Sequence, residues 1–518
     1  MWTRFSAQTI ILSTILVLNL VVAVLGFTAS SGWWWALLVT VPLLVLAVRD
    51  LRQRRHAIMR NYPVIGHLRY FLESVRPEIR QYFFESDLDG APFNRRQRSI
   101  VYQRAKNEKQ TVAFGMQADP TAPGYEWVAH SIYPTSLSEA DLRVTIGNYQ
   151  CTQPYSASLL NIGAMSYGAL SKTAIQALNE GARRGGFAHN TGEGGISDYH
   201  LHGGDLIWQI GTGYFGCRNA EGRFHPMAFR KNSLRPEVKM IELKLSQGAK
   251  PGHGGILPGG KNTPEIAAIR GVVAGTTVHS PARHSEFADA EGLIQFVQLL
   301  RELSEGKPVG FKLCIGSRDE FLDICRAIAH TGILPDFITI DGAEGGTGAA
   351  PLEFTDHLGM PLYEALAFAR QSLDHFGLSD DVKLLAAGKI ITGFDLLKAV
   401  ALGASAAYSA RGMMMSLGCI QALICDSGRC PVGVATQDPA LYGGLDPADK
   451  SVRVANYHGK TLAATREIME ACGFSSLDAV VPARFFRRVN EQETRSFEQI
   501  YFSAGGPATT PRLKTFLN

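Results

Sequence analysis

Three cysteines in a short segment near the end of the chain are the residues best suited to metal chemistry. Cys419, Cys425 and Cys430 lie close together in sequence, and the last is followed by Pro-Val-Gly. Iron–sulfur clusters are held by cysteine thiolates, and soft sulfur ligands on one tight loop suit them. Three ligands are fewer than the usual four, so spacing alone leaves unrelated buried or loop thiols as an equal alternative.

Glycines, small residues and one lysine accompany several apolar runs in a way that suits a flavin. Gly388 and Gly412 follow the last two runs, where barrel proteins bind a phosphate through backbone N–H groups. Lys312 lies inside an apolar run; its cation would stabilise a reduced flavin ring, or it would pair with a nearby carboxylate. The predicted flavin-binding residues are Ala164, Met165, Ser166, Lys312, Gly345, Gly346, Thr347, Gly348, Gly388 and Gly412.

The elements that would position these residues are eight short apolar runs, each ending in a turn-forming residue and followed by a helical stretch. This rhythm predicts a (β/α)8 barrel over residues 156–435, with its chemistry at the carboxyl ends of the strands. An open doubly wound sheet is the weaker alternative, because no G-x-G-x-x-G follows the first run. The predicted strands are Leu159–Ala164, Phe187–Asn190, Met240–Leu245, Thr277–His279, Val309–Cys314, Phe337–Ile340, Lys383–Ala387 and Ala406–Ser409.

The N-terminal region has a different character, since it carries no charge between Arg4 and Arg49. Two apolar runs, Thr9–Phe27 and Trp33–Val48, predict a transmembrane helical hairpin over residues 1–50. The arginines that follow place both ends in the cytoplasm, which predicts a protein of the cytoplasmic membrane with its catalytic domain in the cytoplasm. A cleaved signal peptide and a single span are the alternatives.

Composition excludes two classes of protein, and the residue pattern divides the rest of the chain into segments. The net charge is +4 with dispersed basic residues, so there is no nucleic-acid signature, and the other five cysteines are too scattered for a disulfide framework. We expect a helical linker over 51–110, a short β-like lead-in over 111–155, and a C-terminal extension over 436–518 that packs on the barrel. That extension contains an amphipathic helix around Thr461–Ala471.

Several long motifs together resemble the FMN-binding synthase domain of glutamate synthase, in its stand-alone, membrane-anchored form. The similarity covers about residues 110–475, and the motifs occur in the family's order. It implies a (β/α)8 barrel that binds FMN and a 3Fe-4S cluster held by the three cysteines. The motifs are Gly163–Ser171, Asn190–Gly195, Gln247–Gly252, Gly345–Gly348 and Leu417–Gln437.

The same resemblance implies the reaction and the residues that carry it. An imine would form from 2-oxoglutarate or a related 2-oxo acid and ammonia, and FMN would reduce it; the reverse oxidation of an amino acid is the alternative direction. Lys244, Lys250 and Arg270 match the family's dicarboxylate-binding cations. Glu193 matches its loop glutamate near the imine nitrogen, and with the two lysines forms the predicted catalytic set.

The chain departs from the family pattern near this pocket. His253 replaces a glutamate, Ile256 replaces a glutamine that holds the oxo acid, and Ser280–His284 also differs, so that Arg283 and His284 are candidate replacement contacts. These changes bear on the substrate more than on the cofactors. An FMN-dependent dehydrogenase of another small acid and a non-catalytic flavin-binding membrane module therefore remain rival functions.

The predicted partners follow from what the sequence does not contain. With no glutaminase region and no pyridine-nucleotide domain evident, we expect ammonia or an amine to come from solution or from another subunit. Electrons would be exchanged with a separate protein, such as a ferredoxin or a membrane redox protein. Membrane lipid is a further expected partner, and a homo-oligomer is compatible with the sequence.

Overall fold

The computed structural model describes residues 6–108 and 111–502. By its internal contacts the chain forms two compact units, Met1–Arg96 and Gln97–Asn518. Each unit is described separately below.

The first unit begins with two apolar helices, α1 (Ala7–Thr28) and α2 (Leu37–Arg52), joined through a 3-10 turn at Ser31–Ala36. A side-chain pair links the middle of α1 to the first turn of α2: Thr40 Oγ1 donates to Asn19 Oδ1 at 2.9 Å. Most of their side chains are exposed although they are apolar. Length and composition allow α1 to cross a membrane, and likewise the helical segment Ser31–Arg52, which joins the 3-10 turn to α2; a polar pair between them suits that setting.

Two further helices follow in the first unit, α3 (Ala57–Asn61) and α4 (Gly66–Ile79), and α4 continues into a π-helical turn at Arg80–Phe84. The start of α4 packs closely on α3, because a Cβ on Gly66 would lie 3.0 Å from the Cα of Met59. Most of the remaining side chains of α4 are exposed.

The second unit contains a closed barrel of eight parallel strands, which confirms the predicted (β/α)8 fold. The last strand pairs with the first, Ala407 opposite Leu160, and this pairing closes the sheet. In chain order the barrel strands are β4 (Leu160–Ile162), β5 (His189–Asn190), β6 (Leu206–Ile210), β7 (Val238–Lys244), β10 (Val309–Leu313), β11 (Phe337–Asp341), β12 (Lys383–Ala387) and β13 (Ala404–Ser409).

One of the eight predicted strands was wrong. Thr277–His279 is not in the barrel: β9 (Val278–His279) pairs antiparallel with β8 (Ile256–Leu257) in a small separate sheet. The third barrel strand is instead Leu206–Ile210, a fully buried apolar run. The sequence pattern missed it because no full helix separates it from β5, only a 3-10 turn at Asp198–His200.

Helices surround the barrel, and short strands lie outside it. The helices from α5 onward are α5 (Arg95–Ala105), α6 (Lys172–Gly185), α7 (Pro226–Ser233), α8 (Pro264–Arg270), α9 (Ala290–Leu303), α10 (Arg318–Thr331), α11 (Leu352–His357), α12 (Leu362–His375), α13 (Gly393–Ala401), α14 (Arg411–Ser416), α15 (Pro439–Tyr442), α16 (Pro447–Cys472) and α17 (Phe497–Tyr501). The other strands are β1 (Glu126–Val128), β2 (Arg143–Ile146), β3 (Tyr155–Ser158), β14 (Phe485–Arg488) and β15 (Thr494–Ser496).

The barrel interior is filled by side chains and sealed at one end by a hairpin. Ile146 and Ala157, from the β2–β3 hairpin, pack in one buried cluster with Met240 and Leu385 of the barrel strands. The long helix α16 packs along α6, where Val454 occupies the space that a Cβ on Gly181 would need. The end of the barrel that the β2–β3 hairpin seals therefore has a structural role, and the opposite end, at the carboxyl ends of the strands, is left for chemistry.

Candidate active site

The predicted site residues lie at one face of the barrel because all eight strands are parallel. Lys244 is the last residue of β7, Lys312 is the last but one of β10, and Asp341 ends β11. Gly388 directly follows β12. Residues distant in sequence therefore meet at the carboxyl ends of the strands, where barrel enzymes place their active sites.

Glu193 lies at the centre of a cluster of cations. Lys244 Nζ donates a hydrogen bond to Glu193 Oε1 at 2.7 Å, and Lys244 is only 8% exposed. Burial would raise the pKa of Glu193, but Lys244, Arg270 and Lys250 together outweigh it and hold that pKa below its ordinary value. The structure thus brings together all four residues predicted to bind substrate, with Glu193 ionised among them.

Arg270 connects this cluster to the loop after the first barrel strand. It is the last residue of α8, is 5% exposed, and donates to Tyr167 O at 3.1 Å and to Ser166 Oγ at 3.4 Å. Within the described part of the chain its Nε has no hydrogen-bond partner, and burial lowers the pKa of Arg270 to about 10. A buried guanidinium with unused donor capacity is suited to a carboxylate ligand.

Lys250 is held by the loop that follows strand β11. It is 5% exposed, and its Nζ donates to Ala349 O at 3.0 Å. Burial, followed by the like charge of Lys244, lowers its pKa. An anion beside both ammonium groups would relieve that repulsion.

His284 is one of the residues at which the chain departs from the family pattern, and it has a structural role. His284 is buried, with Nδ1 2.9 Å from the Tyr214 hydroxyl and Nε2 2.9 Å from Lys244 O, so both ring nitrogens are engaged. Burial lowers its pKa to about 4, and the ring is neutral at pH 7. His284 therefore supports the backbone of Lys244 rather than offering a free contact to a ligand.

His253 and Ile256 lie at the edge of the pocket. The His253 ring packs edge-on against Phe354, and its Nδ1 is 2.9 Å from Gly254 O. Ile256 is 39% exposed. The neighbouring Gly255 faces the cluster directly, since a Cβ there would lie 2.7 Å from Glu193 Oε1.

The predicted flavin-binding loop after β4 lies in close contact with the loop after β5. Gly192 has φ of +64°, and a Cβ at that position would lie 2.7 Å from Ser166 N and 2.9 Å from the carbonyl carbon of Met165. Only glycine allows this approach. Ala164 and Ser166 are partly exposed while Met165 is 8% exposed, so this segment presents small atoms and backbone at the face of the barrel.

Lys312 makes the ion pair that the sequence offered as the alternative to a flavin contact. Its Nζ lies 3.3 Å from Asp341 Oδ2, and the same oxygen accepts from Gly248 N at 3.1 Å. Burial would lower the pKa of Lys312, but Asp341 and then Glu242 raise it above its ordinary value. The lysine is held charged at the mouth of the barrel.

The ends of β12 and β13 carry two cations whose role was missed from the sequence. Burial and then the like charge of Arg411 lower the pKa of Lys389, and Glu344 lies near both cations. Two neighbouring cations at the ends of the last two barrel strands suit a phosphate. Their position directly after Gly388 and before Gly412 was the available signal.

The predicted glycines around these cations are placed differently from one another. A Cβ on Gly412 would lie 2.4 Å from Ser409 Oγ and 2.5 Å from Tyr457 Oη, so this glycine is required by packing. Gly346 is exposed, as are the next two residues of its loop, Thr347 and Gly348, while Gly345 is partly exposed. A Cβ on Gly346 would lie 2.8 Å from the Arg411 side chain.

The three cysteines lie on one loop after β13, and their thiols influence one another. Burial raises the pKa of Cys419 to about 11, with smaller contributions from Cys425 and Cys430. Among the described residues no three His, Cys, Asp or Glu side chains converge as the ligands of a single ion would. A cluster binds its thiolates through different iron atoms, so its ligands need not converge on one point.

A buried lysine from another strand connection reaches this loop. Lys261 Nζ donates to Cys425 O at 2.6 Å and to Ala435 O at 3.2 Å, and the residue is 6% exposed. The cysteine loop is also attached to the predicted flavin loop: Ser171 Oγ donates to Gly433 O at 2.6 Å, and Gln437 Nε2 donates to Leu170 O at 2.9 Å. The predicted cluster and flavin segments are therefore in direct contact.

Comparison with known proteins shows to which of them this chain is similar. The family model for the conserved region in glutamate synthase matches residues 136–475. The chain is 38% identical to the glutamate synthase large subunit-like protein YerD of Bacillus subtilis, over 81% of this chain and 88% of that protein. It is 35% identical to the archaeal glutamate synthase [NADPH] of Methanocaldococcus jannaschii, over 69% of this chain and 66% of that protein.

Among solved structures, a mandelate oxidase mutant with a monooxide FMN adduct covers 83% of this chain and 99% of its own, with 16% identity and a TM-score of 0.41.

Proposed function

The chain belongs to the glutamate synthase family, and from this premise we propose that it catalyses the reductive amination of a 2-oxo acid, or the reverse reaction, with 2-oxoglutarate as the first candidate substrate. Family membership confirms the resemblance inferred from the motifs and the prediction of an oxidoreductase that acts on CH–NH2 donors. In the proposed reaction, ammonia and the oxo acid lose water to form an imine. Two electrons and two protons convert the imine to the amino acid.

The observation that carries the proposal is the charge balance around Glu193. Lys244, Lys250 and Arg270 supply three positive charges and Glu193 one negative charge, which leaves two positive charges in the cluster. A dicarboxylate such as 2-oxoglutarate carries two negative charges at neutral pH. Buried charges require partners, so a dianion is the ligand that would complete this site.

Within the pocket we assign binding to the cations and proton transfer to Glu193. Arg270 and Lys250 would bind carboxylate oxygens of the substrate, and Lys244, 2.7 Å from Glu193 Oε1, keeps that carboxylate ionised. Glu193 would accept a proton from the nitrogen of ammonia as it adds to the carbonyl carbon. The partial burial of these residues limits access of water to the imine.

The residues at the mouth of the barrel fit FMN. Ala164, Met165 and Ser166 would lie along the ring, Lys312 beside its pyrimidine end, and the Gly345–Gly348 loop nearby. Gly388 and Gly412, with Lys389 and Arg411, would hold the phosphate. The close approach of Gly192 to Ser166 N and the paired cations after β12 and β13 support this assignment.

The cysteine loop fits a 3Fe-4S cluster held by Cys419, Cys425 and Cys430. The support is three mutually interacting thiols beside the buried cation of Lys261, which would offset thiolate charge. When bound, FMN would supply a hydride for the imine carbon and the cluster would supply single electrons to the flavin. A separate one-electron carrier, such as a ferredoxin or a membrane redox protein, would be the external partner.

We place the protein in the cytoplasmic membrane, with α1 and α2 as a two-span hairpin and the barrel in the cytoplasm. The support is the length and apolarity of both helices and the arginines that follow α2. Ammonia or an amine would then come from the cytoplasm.

The decisive experiment uses the purified full chain, reduced chemically under anaerobic conditions. 2-Oxo acids are added with ammonia or methylamine, and flavin reoxidation is followed together with formation of the amino acid. We expect Arg270→Ala to raise the KM for the oxo acid roughly 10- to 100-fold, since hydrogen bonds to a charged group are lost. FMN content should be unchanged.

Arg218→Ala is the matched control. Both arginines pack over the Phe215 ring, with guanidinium-to-centroid distances of 5.0 Å for Arg270 and 5.5 Å for Arg218. Loss of packing alone would affect both variants equally, whereas the proposal requires an effect of Arg270→Ala only. Reduction of the oxidised protein by 2-hydroxy acids, but not by glutamate, would favour the dehydrogenase alternative.

A further inference from the structure

Helix α4 carries an apolar face that the described part of the chain does not cover. We define the Ile65 face as Ile65, Leu68, Phe71, Leu72 and Ile79, which recur at the spacing of one helix face. Their exposed fractions run from 37% for Ile79 to 60% for Phe71. The π-helical turn that follows adds Phe83 and Phe84, at 81% and 76% exposed. Exposed apolar side chains in such a row mark an interaction surface.

The start of α4 is fixed to the end of the second apolar helix. Asp50, in the last turn of α2, is 2% exposed; its Oδ2 accepts from Val64 N at 2.8 Å and its Oδ1 lies 2.9 Å from His67 Nε2. Arg49 and Asp50 are the first charges after the uncharged stretch, so the hydrogen bonds of Asp50 lie where a membrane span would end. The N-terminal end of α4 is thus placed at that level.

A second contact joins the same region to the beginning of the hairpin. Gln8 Nε2, in the first turn of α1, donates to Asn61 Oδ1 at 3.1 Å, and Asn61 is the last residue of α3. Both ends of the hairpin therefore meet the α3–α4 connection. Contacts with both α1 and α2 therefore fix the position of this connection relative to the ends of the hairpin.

The charges of α4 complement an anionic surface. Arg69, Arg76 and Arg80 follow one border of the Ile65 face; the helix also contains Glu73 and Glu78, and Arg69 Nη2 lies 3.8 Å from Glu73 Oε2 in an exposed ion pair. These charges and the helix length of 14 residues exclude a membrane span. Arginines bordering an apolar face are typical of helices that lie in the plane of a membrane interface.

We propose that α4 and the Arg80–Phe84 turn lie on the cytoplasmic surface of an anionic lipid bilayer. The Ile65 face would insert at the boundary of headgroups and acyl chains, with Arg69, Arg76 and Arg80 beside lipid phosphates. The proposal rests on the membrane location proposed above and extends it, because the chain would contact lipid through an interfacial helix as well as through spans. Its consequence is that lipid charge acts directly on the segment that follows the membrane hairpin.

The test places the photoreactive residue p-benzoylphenylalanine at single positions of the full chain, reconstituted in phosphatidylglycerol vesicles. Position 71 lies on the Ile65 face, and position 77, an exposed proline on the opposite side of the same helix, is the matched control. Irradiation followed by mass spectrometry should give lipid adducts at position 71 but not at position 77. Adducts to a second copy of the chain at position 71, or no adduct, would overturn the proposal.

Position 20 separates failure of this proposal from failure of the membrane location. Leu20 is 65% exposed on α1 and should give lipid adducts if α1 spans the bilayer. Adducts at position 20 without adducts at position 71 would leave the spans standing and reject the interfacial helix. No adduct at either position would reject both.

Lipid charge provides the second readout. In phosphatidylglycerol vesicles, Arg76→Gln should lower the equilibrium constant for binding of α4 to the lipid surface about fivefold. This is the effect of one basic residue near an anionic surface. The same substitution should have little effect in phosphatidylcholine vesicles. Equal effects in the two lipids would contradict the role given to the arginines.

Discussion

The ammonium of Lys261 donates a 2.6 Å hydrogen bond to the backbone carbonyl of Cys425, although the two residues are far apart in sequence. Lys261 follows the small strand β8, in the long connection between β7 and α9 that also carries Lys250. The connection that supplies part of the proposed oxo-acid pocket therefore also supplies a buried positive charge to the cysteine loop.

Replacing Lys261 should make the proposed cluster harder to reduce. A positive charge stabilises the more negative, reduced state, so Lys261→Gln should lower the reduction potential by tens of millivolts, about 60 mV for each 1.4 kcal/mol of lost stabilisation. A redox titration followed by EPR measures this change directly.

Lys307→Gln is the control for that experiment. Lys307 is also buried and donates to three backbone carbonyls, at 2.7, 2.9 and 2.7 Å, but it lies in the turn before β10, at the opposite end of the barrel. It should lower stability without shifting the potential. Equal shifts in the two variants would show that the effect is not electrostatic.

Gly192→Ala should prevent flavin binding. The added Cβ would meet Ser166 N at 2.7 Å in a backbone with φ of +64°, and the loop after β4 would have to move. Gly186→Ala provides a control with nearly the same φ, +65°, and nothing within 4 Å of the added Cβ. Visible flavin absorbance should be lost in the first variant and kept in the second; retention in both would contradict the assignment of this loop.

Glu193→Gln should lower kcat by about 100-fold or more, since a positioned general base contributes 10²–10⁴-fold. The wild-type carboxylate has a lowered pKa, so its ion pair with Lys244 is intact at neutral pH and is lost only as the pH falls through that lowered value. Single-turnover oxidation of the reduced flavin by the oxo acid and ammonia measures the effect. A variant with unchanged kcat and raised KM would assign Glu193 to binding only.

Buried histidines should make the fold less stable in mild acid. Burial lowers the pKa of His284 to about 4 and that of His200 and His458 to about 3, whereas in the unfolded chain each titrates near 6.5. The unfolded state therefore binds more protons below pH 6.5, and stability falls from pH 6.5 toward 4 by about 1.4 kcal/mol per pH unit for each histidine.

Melting temperatures measured between pH 7 and 5 test this slope. His458→Asn should reduce the pH dependence, because one buried group no longer titrates, while His375→Asn, at an exposed position, should leave it unchanged. A flat profile for the wild type would contradict the prediction.

Periodicity predicted most barrel strands, but it could not distinguish a strand that closes the barrel from one that pairs elsewhere. Thr277–His279 was predicted to be a barrel strand and Leu206–Ile210 was not, but only the second enters the barrel. Apolar pattern reports burial of a segment, whereas strand pairing is decided by the partner that the rest of the chain brings alongside.

The sequence by itself determined the order of the glycine- and cysteine-rich motifs, the uncharged N-terminal stretch and the family to which they belong. Only the tertiary structure decided that Glu193 lies among three cations and that Lys261 reaches the backbone of Cys425. It also decided that both ring nitrogens of His284 lie at hydrogen-bonding distance from the Tyr214 hydroxyl and the Lys244 carbonyl. The reason is that residue type and spacing report local chemistry along the chain. A closed parallel barrel brings together the loops after strands that are distant in sequence, and no local pattern records which side chains then meet.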